Sequence, residues 1–208
     1  MTKSYYLIQD SFRQLIRTKG IFLTFILSSL VSIIGFFCYF LFLFFNHIHL
    51  GMVADLEKET DFIAVQMGMA PVMAMLVFKI GALILSLLIF LLLILYIKKS
   101  FKQFLFSQQE QVKIRHLLGE STRYLNGLSI IQMELFLFLT LFIGCGLSNQ
   151  IFKYSVIETL KIGVDSENIN SFQIDFISLA TVFIVLLCFL FLSSYHSLNK
   201  SYERILIE

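Results

Sequence analysis

Four stretches of this chain are apolar almost without interruption: residues 21–45, 80–97, 128–151 and 176–195. Each is close to the ~20 residues a helix needs to cross a hydrocarbon core about 30 Å thick. The second, IGALILSLLIFLLLILYI, carries no charge and turns at once into KKSFKQFLFSQQEQVKIRHLLGEST, which is basic and contains one glycine. The pattern predicts an all-α membrane protein of four transmembrane helices. A span that delivers its end to a helix in water can pass force between two compartments, so the remaining segments read as a frame around that junction.

The polar stretches set the order of segments in one domain, 1–208. Residues 1–20 precede the first span. There Tyr5, Ile8, Phe12, Leu15 and Ile16 recur at helical spacing while Arg13, Arg17 and Lys19 fall off the stripe. This predicts an amphipathic lead-in helix in the headgroup plane, its bases toward anionic lipid; Phe12, Arg13, Ile16 and Arg17 are its candidate residues, and a plain solvated helix is the alternative. Span 1 (21–45) is too long for a signal-peptide core, begins too late and lacks a small-x-small cleavage site, so it is expected to remain in the mature protein. Extracellular segments are expected at 46–79 and 152–175, around spans 2 (80–97), 3 (128–151) and 4 (176–195). A coupling segment at 98–127 and a short helical tail at 196–208 lie on the other side. Pro71 is expected to mark a kink or the first turn of a helical extension of span 2. Ser28, Ser32 and Gly35 in span 1, and Gly144 and Ser148 in span 3, are small enough for another helix to approach closely.

Charge fixes the orientation. With the N-terminus inside, 12 of the 16 Lys and Arg fall on the cytoplasmic side, leaving Lys58, Lys79, Lys153 and Lys161 outside among acidic residues. That bias places both termini in the cytoplasm.

Composition agrees. The chain has 208 residues, 58% of them hydrophobic and 14% charged, with 24 Phe, no Trp and one Pro. A soluble domain of this length could not hide so much apolar surface. The net charge of +2 is too small to imply a nucleic-acid partner. Cys38, Cys145 and Cys188 sit inside apolar runs and read as small hydrophobes, giving no disulfide framework and no zinc site. Met67, Met69, Met73 and Met75 read as adaptable packing before soft-metal ligands, and His47 and His49 as interfacial residues.

Catalytic chemistry is missing from the sequence: G-x-x-x-x-G-K-[ST], H-E-x-x-H and G-x-S-x-G do not occur. The chain is therefore expected to be no enzyme, with no cofactor of its own. Glu134 is the acid set inside a span, about 10 Å from its cytoplasmic end at 1.5 Å per residue. It reads either as a proton relay or ligand site, or as a structural cap or bond to a neighbouring span. In the central segment Val112, Ile114, Leu117 and Leu118 alternate with Gln111, Lys113, Arg115 and His116. Gly119 is a candidate helix stop before Glu120, and Ser121 or Thr122 the next cap. This is either a basic interfacial loop or a coupling helix that docks on a cytoplasmic partner.

Two stretches, SFRQLIRTKGIFLTFILSSLVSIIGFF and QVKIRHLLGESTRYLNGLSIIQMELFLFLTLFIGCGLS, resemble the FtsX-like permease domain of ABC transporters, shared by MacB-type and BceB-type systems. The shared features are an amphipathic lead-in, a leucine-glycine stop, a polar turn, and a span with an acid near its start and glycines near its end. Gln111 stands where the family commonly has an acid, Arg115 at an often apolar position, and Gln132 where the family's intramembrane acid aligns, two residues before Glu134. The extracellular segment between the first two spans is also far smaller than in many members.

The resemblance implies a bacterial plasma-membrane permease subunit without its own motor. It would pair with a second copy or a paralogous permease and sit on a separate ABC ATP-binding subunit that holds ATP and Mg. Gln111, Val112, Ile114, Arg115, Leu117, Leu118, Gly119 and Glu120 would form the ATPase-coupling segment. The work implied is export or extraction of a peptide or lipophilic compound in or at the bilayer, as in resistance or immunity to an antimicrobial peptide. A mechanotransmission complex that activates an extracellular partner, and a four-span scaffold without a motor, are the alternatives.

Overall fold

The computed structural model describes residues 20–58, 62–107, 109–158, 174 and 176–207. Every element among them is helical: α1 (Ile21–Lys58), α2 (Phe62–Ser107), α3 (Gln109–Leu117), α4 (Thr122–Phe152), continued by a π-helical stretch (Lys153–Glu158), and α5 (Phe176–Ile207). Among the described residues four segments are long and apolar enough to cross a membrane: Ile21–Lys58, Gln66–Phe104, Tyr124–Val156 and Phe176–Tyr195.

The helices outrun the apolar stretches that predict them. α1 has 38 residues and α2 has 46, or about 57 and 69 Å at 1.5 Å per residue, against a hydrocarbon core of about 30 Å. Much of the segment expected between spans 1 and 2 is thus helix, residues 46–58 continuing α1 and 62–79 opening α2. The reason is local: NHIHLGMVADLEK contains no proline, so nothing stops the hydrogen-bond ladder at Phe45. Pro71 lies well inside α2 and not in its first turn. At the far end the tail simply continues α5 through Ile207.

Contacts divide the chain into two compact units. Among the described residues, one comprises residues 20–30, 91–142 and 177–207. Its core is built on Phe136, which is fully buried and meets Phe25 edge-on at 5.6 Å and Phe101 at 5.5 Å between ring centroids. Leu93, Ile94, Ile97, Leu137, Leu141 and Leu190 pack in the same unit. α4 and α5 meet through Phe138 and Phe183 at 6.5 Å.

The other unit comprises the described residues among 31–90 and 143–176. Here α1 and α2 run antiparallel: Phe36 meets Phe90 at 5.1 Å and Phe45 meets Phe78 at 5.8 Å, while Gly68 abuts Leu56. α4 runs parallel to α1, since the step from Ser32 to Phe40 is matched by the step from Gly144 to Phe152. Phe152 is fully buried among Phe37, Phe40 and Phe44 at 5.9–6.1 Å. Lipid tails are as apolar as Phe, so close fit between these helices carries the association more than removal from water does.

Four hydroxyls inside the apolar helices donate to their own backbone, while the Oγ atoms of Ser29, Ser32, Ser148 and Ser194 are buried without a hydrogen-bond partner among the described residues. Thr24 donates to the Gly20 carbonyl at 3.2 Å and Ser28 to the Phe25 carbonyl at 3.0 Å. Thr140 donates to Phe136 and Thr181 to Ile177, each one turn back. Such back-bonding satisfies a polar group where lipid offers no partner.

Candidate functional site

The connection between α2 and α4 is an elbow with both ends capped. α3 ends at Leu117, and Gly119 follows with φ of +96°. The Glu120 N–H donates to the Arg115 carbonyl at 3.1 Å and the Gly119 N–H to the His116 carbonyl at 3.0 Å. This pair of bonds around a left-handed glycine is a Schellman closure, which satisfies carbonyls the helix end would otherwise leave open. His116 adds a bond from Nδ1 to the Glu120 carbonyl at 3.1 Å. Ser121 then starts α4, its Oγ accepting from the Tyr124 N–H at 3.3 Å and its carbonyl from Leu125 at 3.1 Å. Of the two candidate caps, Ser121 and not Thr122 takes the position. One helix thus stops and the next begins within four residues, which holds α3 at a set angle.

α3 presents apolar side chains to its surroundings. Leu117 is 85% exposed and Leu118 80%, with Ile114 more than half exposed. Lys113, Arg115 and Glu120 are half-buried beside them. For Gln111 and Val112 the structure describes only the helical backbone. The lead-in residues Phe12, Arg13, Ile16 and Arg17 lie outside the described residues.

Where the apolar run of α2 ends, Lys98 reaches α5. Its Nζ donates to the Ser193 Oγ at 2.6 Å and to the Ser193 carbonyl at 3.0 Å. Lys98 carried no role in the sequence reading, because a base at the end of a span is what the positive-inside bias alone supplies. The partner serine lies far along the chain.

The small residues lie at tight crossings. A Cβ on Gly144 would run into the Ser32 side chain and stand 3.0 Å from the Ser32 backbone carbonyl carbon. One on Gly35 would stand 3.0 Å from the Phe90 ring. Ser86 donates to the Gly35 carbonyl at 3.2 Å, a bond that a bulkier neighbour would crowd. Ser28, Ser32 and Ser148 are fully buried.

Gln132 and Glu134 are both half-buried on α4. Glu134 lines a groove of about 430 Å³ with Leu187, Cys188, Phe191 and Leu192 of α5. Its Oε1 is shut off from the surface and has no hydrogen-bond partner among the described residues. An ionised carboxylate at a helix centre costs about 2.5–3.5 kcal/mol on insertion scales and less toward the interface, so Glu134, about 10 Å in from the span's end at 1.5 Å per residue, carries part of that cost when ionised. Among the described residues no group of three His, Cys, Asp or Glu side chains gathers as a metal site.

No curated protein and no solved structure matches the chain. A family model, FtsX-like permease C-terminal, matches residues 83–204, more than half of the 208 residues and inclusive of the elbow, the Lys98–Ser193 pair and Glu134. With its apolar helices and this match, the chain belongs to the FtsX-like permease family: a multi-pass membrane protein of the ABC-transporter permease type, whose members in general work with an ATPase subunit.

Proposed function

We propose that this chain transmits the work of a separate ATP-binding subunit that docks on the elbow between α2 and α4. The carrying observation is the apolar, exposed side chains of Ile114 and Leu117 on α3, a helix whose mean hydropathy marks it as a water-facing element, and of Leu118 just past its end. Exposed leucines flanked by Lys113 and Arg115 suit a partner groove with apolar walls and an acidic rim. The capped elbow gives that partner a lever, since a push on α3 passes directly into α4. Gln111, Val112, Arg115, Gly119 and Glu120 complete the segment.

In this reading both termini and the elbow face the cytoplasm of a bacterial cell, following the distribution of bases. ATP and Mg reside in the partner, because this sequence has no phosphate-binding motif. A second copy or a paralogous permease completes the transporter, with the amphipathic lead-in lying against the headgroups. The cargo is a peptide or lipophilic compound taken from or through the bilayer, as in resistance or immunity to an antimicrobial peptide. A second reading, mechanotransmission to an extracellular partner, draws support from the length of α1 and α2. Helices of about 57 and 69 Å carry motion beyond a core of about 30 Å.

The test is co-purification from the native membrane with identification of partners and an ATPase assay, comparing wild type with Ile114→Asp plus Leu117→Asp. An ATP-binding subunit that accompanies wild type and is lost from the variant is the expected result. If no ATPase accompanies wild type, the motor reading falls and the four-span scaffold takes its place.

A further inference from the structure

The crossing of α1 and α2 brings one histidine and two methionines together. On α1, Gly35 lies against Phe90 and Ile89, and Leu56 lies against Gly68. Seven residues make close to two helical turns, so positions 35, 42, 49 and 56 share the face that α2 covers. His49 belongs to that row. On α2, Met75 stands in the same row as Gly68 and Ile89, both of which touch α1. Because the helices run antiparallel, two turns back from Leu56 on α1 stands opposite two turns on from Gly68 on α2. His49 and Met75 therefore face each other as Leu56 and Gly68 do. Met52 lies two turns past Phe45, whose ring meets Phe78 at 5.8 Å, and one turn from His49 on the same side. All three side chains are half-buried. Met67, Met69 and Met73 are 76%, 55% and 62% exposed, so Met75 differs from these α2 neighbours in turning to α1. The Nδ1 atom of His49 is shut off from the surface and has no hydrogen-bond partner among the described residues.

We infer that His49, Met52 and Met75 form a site for a soft monovalent metal ion, Cu(I), held by the imidazole Nδ1 and two thioether sulfurs. The donor set decides the ion. Thioethers are neutral, soft ligands that select Cu(I), and imidazole suits copper as well. Mg and Ca require oxygen ligands, and zinc sites are built from thiolate, imidazole and carboxylate, none of which the two methionines supply. Packing alone accounts for half-buried methionines, but it leaves Nδ1 without a partner; a metal ion uses that lone pair. His49 follows the apolar stretch 21–45 by one turn, which sets the three ligands at the rim of the bilayer, within reach of ions in water. The site stands apart from the motor reading, since metal binding is measured on the purified chain with no ATPase present.

The experiment is anaerobic titration of the purified full chain, in detergent, against Cu(I) held by bicinchoninate, the transfer of metal being read from the loss of the coloured chelate. The expected result is that wild type withdraws one equivalent of Cu(I) that Met75→Leu and Met52→Leu each bind at least tenfold more weakly. Both substitutions keep the side-chain volume, so they serve as the deciding variants should His49→Phe, which is expected to lose the same equivalent, fail to purify folded. Met67→Leu and Met73→Leu, on exposed positions of the same helix, are expected to bind as wild type does. Zn(II) at the same concentration is expected not to displace the Cu(I). Ions on the cysteine thiols are untouched by these substitutions, so equal binding by wild type, Met52→Leu and Met75→Leu overturns the assignment. A loss on Met67→Leu or Met73→Leu as large as on Met75→Leu, or displacement of the Cu(I) by Zn(II), overturns it too.

Discussion

Lys98 holds Ser193 twice, through the hydroxyl at 2.6 Å and through the backbone carbonyl at 3.0 Å. The two bonds tie the end of the apolar run of α2 to α5. A carbonyl in a helix accepts whatever its side chain is, so the two bonds are separable by mutation. Ser193→Ala removes one of them and is expected to cost no more than about 3 kcal/mol, the upper end for a hydrogen bond to a charged group. Lys98→Met removes both and is expected to cost more. In the Lys98→Met background, Ser193→Ala then costs close to nothing. Thermal melts of the four proteins in detergent, followed by circular dichroism, form the double-mutant cycle; additive losses would show that the pair does not interact in solution.

The crossing of α1 and α4 at Ser32 and Gly144 leaves no room for a methyl group, and backbone as well as side chain stands in its way. Gly144→Ala is expected to destabilise by about 1–3 kcal/mol, the common cost of overpacking a closed contact. Gly146→Ala is the matched control two residues on, because nothing lies within 4 Å of a Cβ there; it is expected to be neutral or to gain up to about 1 kcal/mol of helix propensity. Ser32→Gly should recover only part of the Gly144→Ala loss, since the Ser32 backbone carbonyl carbon still stands 3.0 Å from the added Cβ. Thermal midpoints of the single and double variants check all three.

Sequence made the four spans legible because a helix in lipid must be apolar over its whole length, so 80–97 announces itself without any periodicity. The same uniformity hides the interior. A stretch such as IGFFCYFLFLFF is apolar on every face, so nothing in it says that Phe40 and Phe44 turn to Phe152 while Ile34 stays outside. The spans do not mark where the helices end, because helix propensity outlasts lipophilicity, as beyond Phe45, where α1 runs on to Lys58. At the elbow the reading was sharp, since a Schellman closure needs a glycine and an N-cap needs a serine at local spacing that the sequence displays. The groove at Glu134 was invisible for the opposite reason: its walls come from α5, and pairing between spans is set by packing that no local pattern encodes.

Phe136 shows what that hidden packing is worth. It is fully buried, and two rings meet it edge-on, Phe25 at 5.6 Å and Phe101 at 5.5 Å. Each such aromatic pair adds about 0.5–1.5 kcal/mol beyond area burial. Phe136→Ala is expected to cost about 3–5 kcal/mol, enough to lower the yield of folded protein sharply. Phe142, six residues on, is 66% exposed and has a stacked contact with Phe138 at 6.4 Å, so Phe142→Ala is expected to cost no more than about 1.5 kcal/mol. Size-exclusion profiles and melts of the two variants separate an inner ring from an outer one.

Gly119 is the point where the elbow depends on a single residue type. Its φ of +96° is a conformation that an L-residue adopts at a cost of about 1–2 kcal/mol. Nothing lies within 4 Å of a Cβ placed there, so the cost of Gly119→Ala is backbone strain alone, without a clash. Asn visits this region more readily than Ala, so Gly119→Asn is expected to lose less than Gly119→Ala, although it is the larger side chain. Gly81→Ala, also in open space but inside α2 and without positive φ, should be neutral or stabilising. That ranking, Ala worse than Asn at 119 and harmless at 81, cannot come from bulk. Limited proteolysis reports it locally: Gly119→Ala should speed cleavage between α3 and α4 while leaving cleavage elsewhere unchanged. Equal rates for the Ala and Asn variants would mean that the left-handed turn does not hold the elbow in solution.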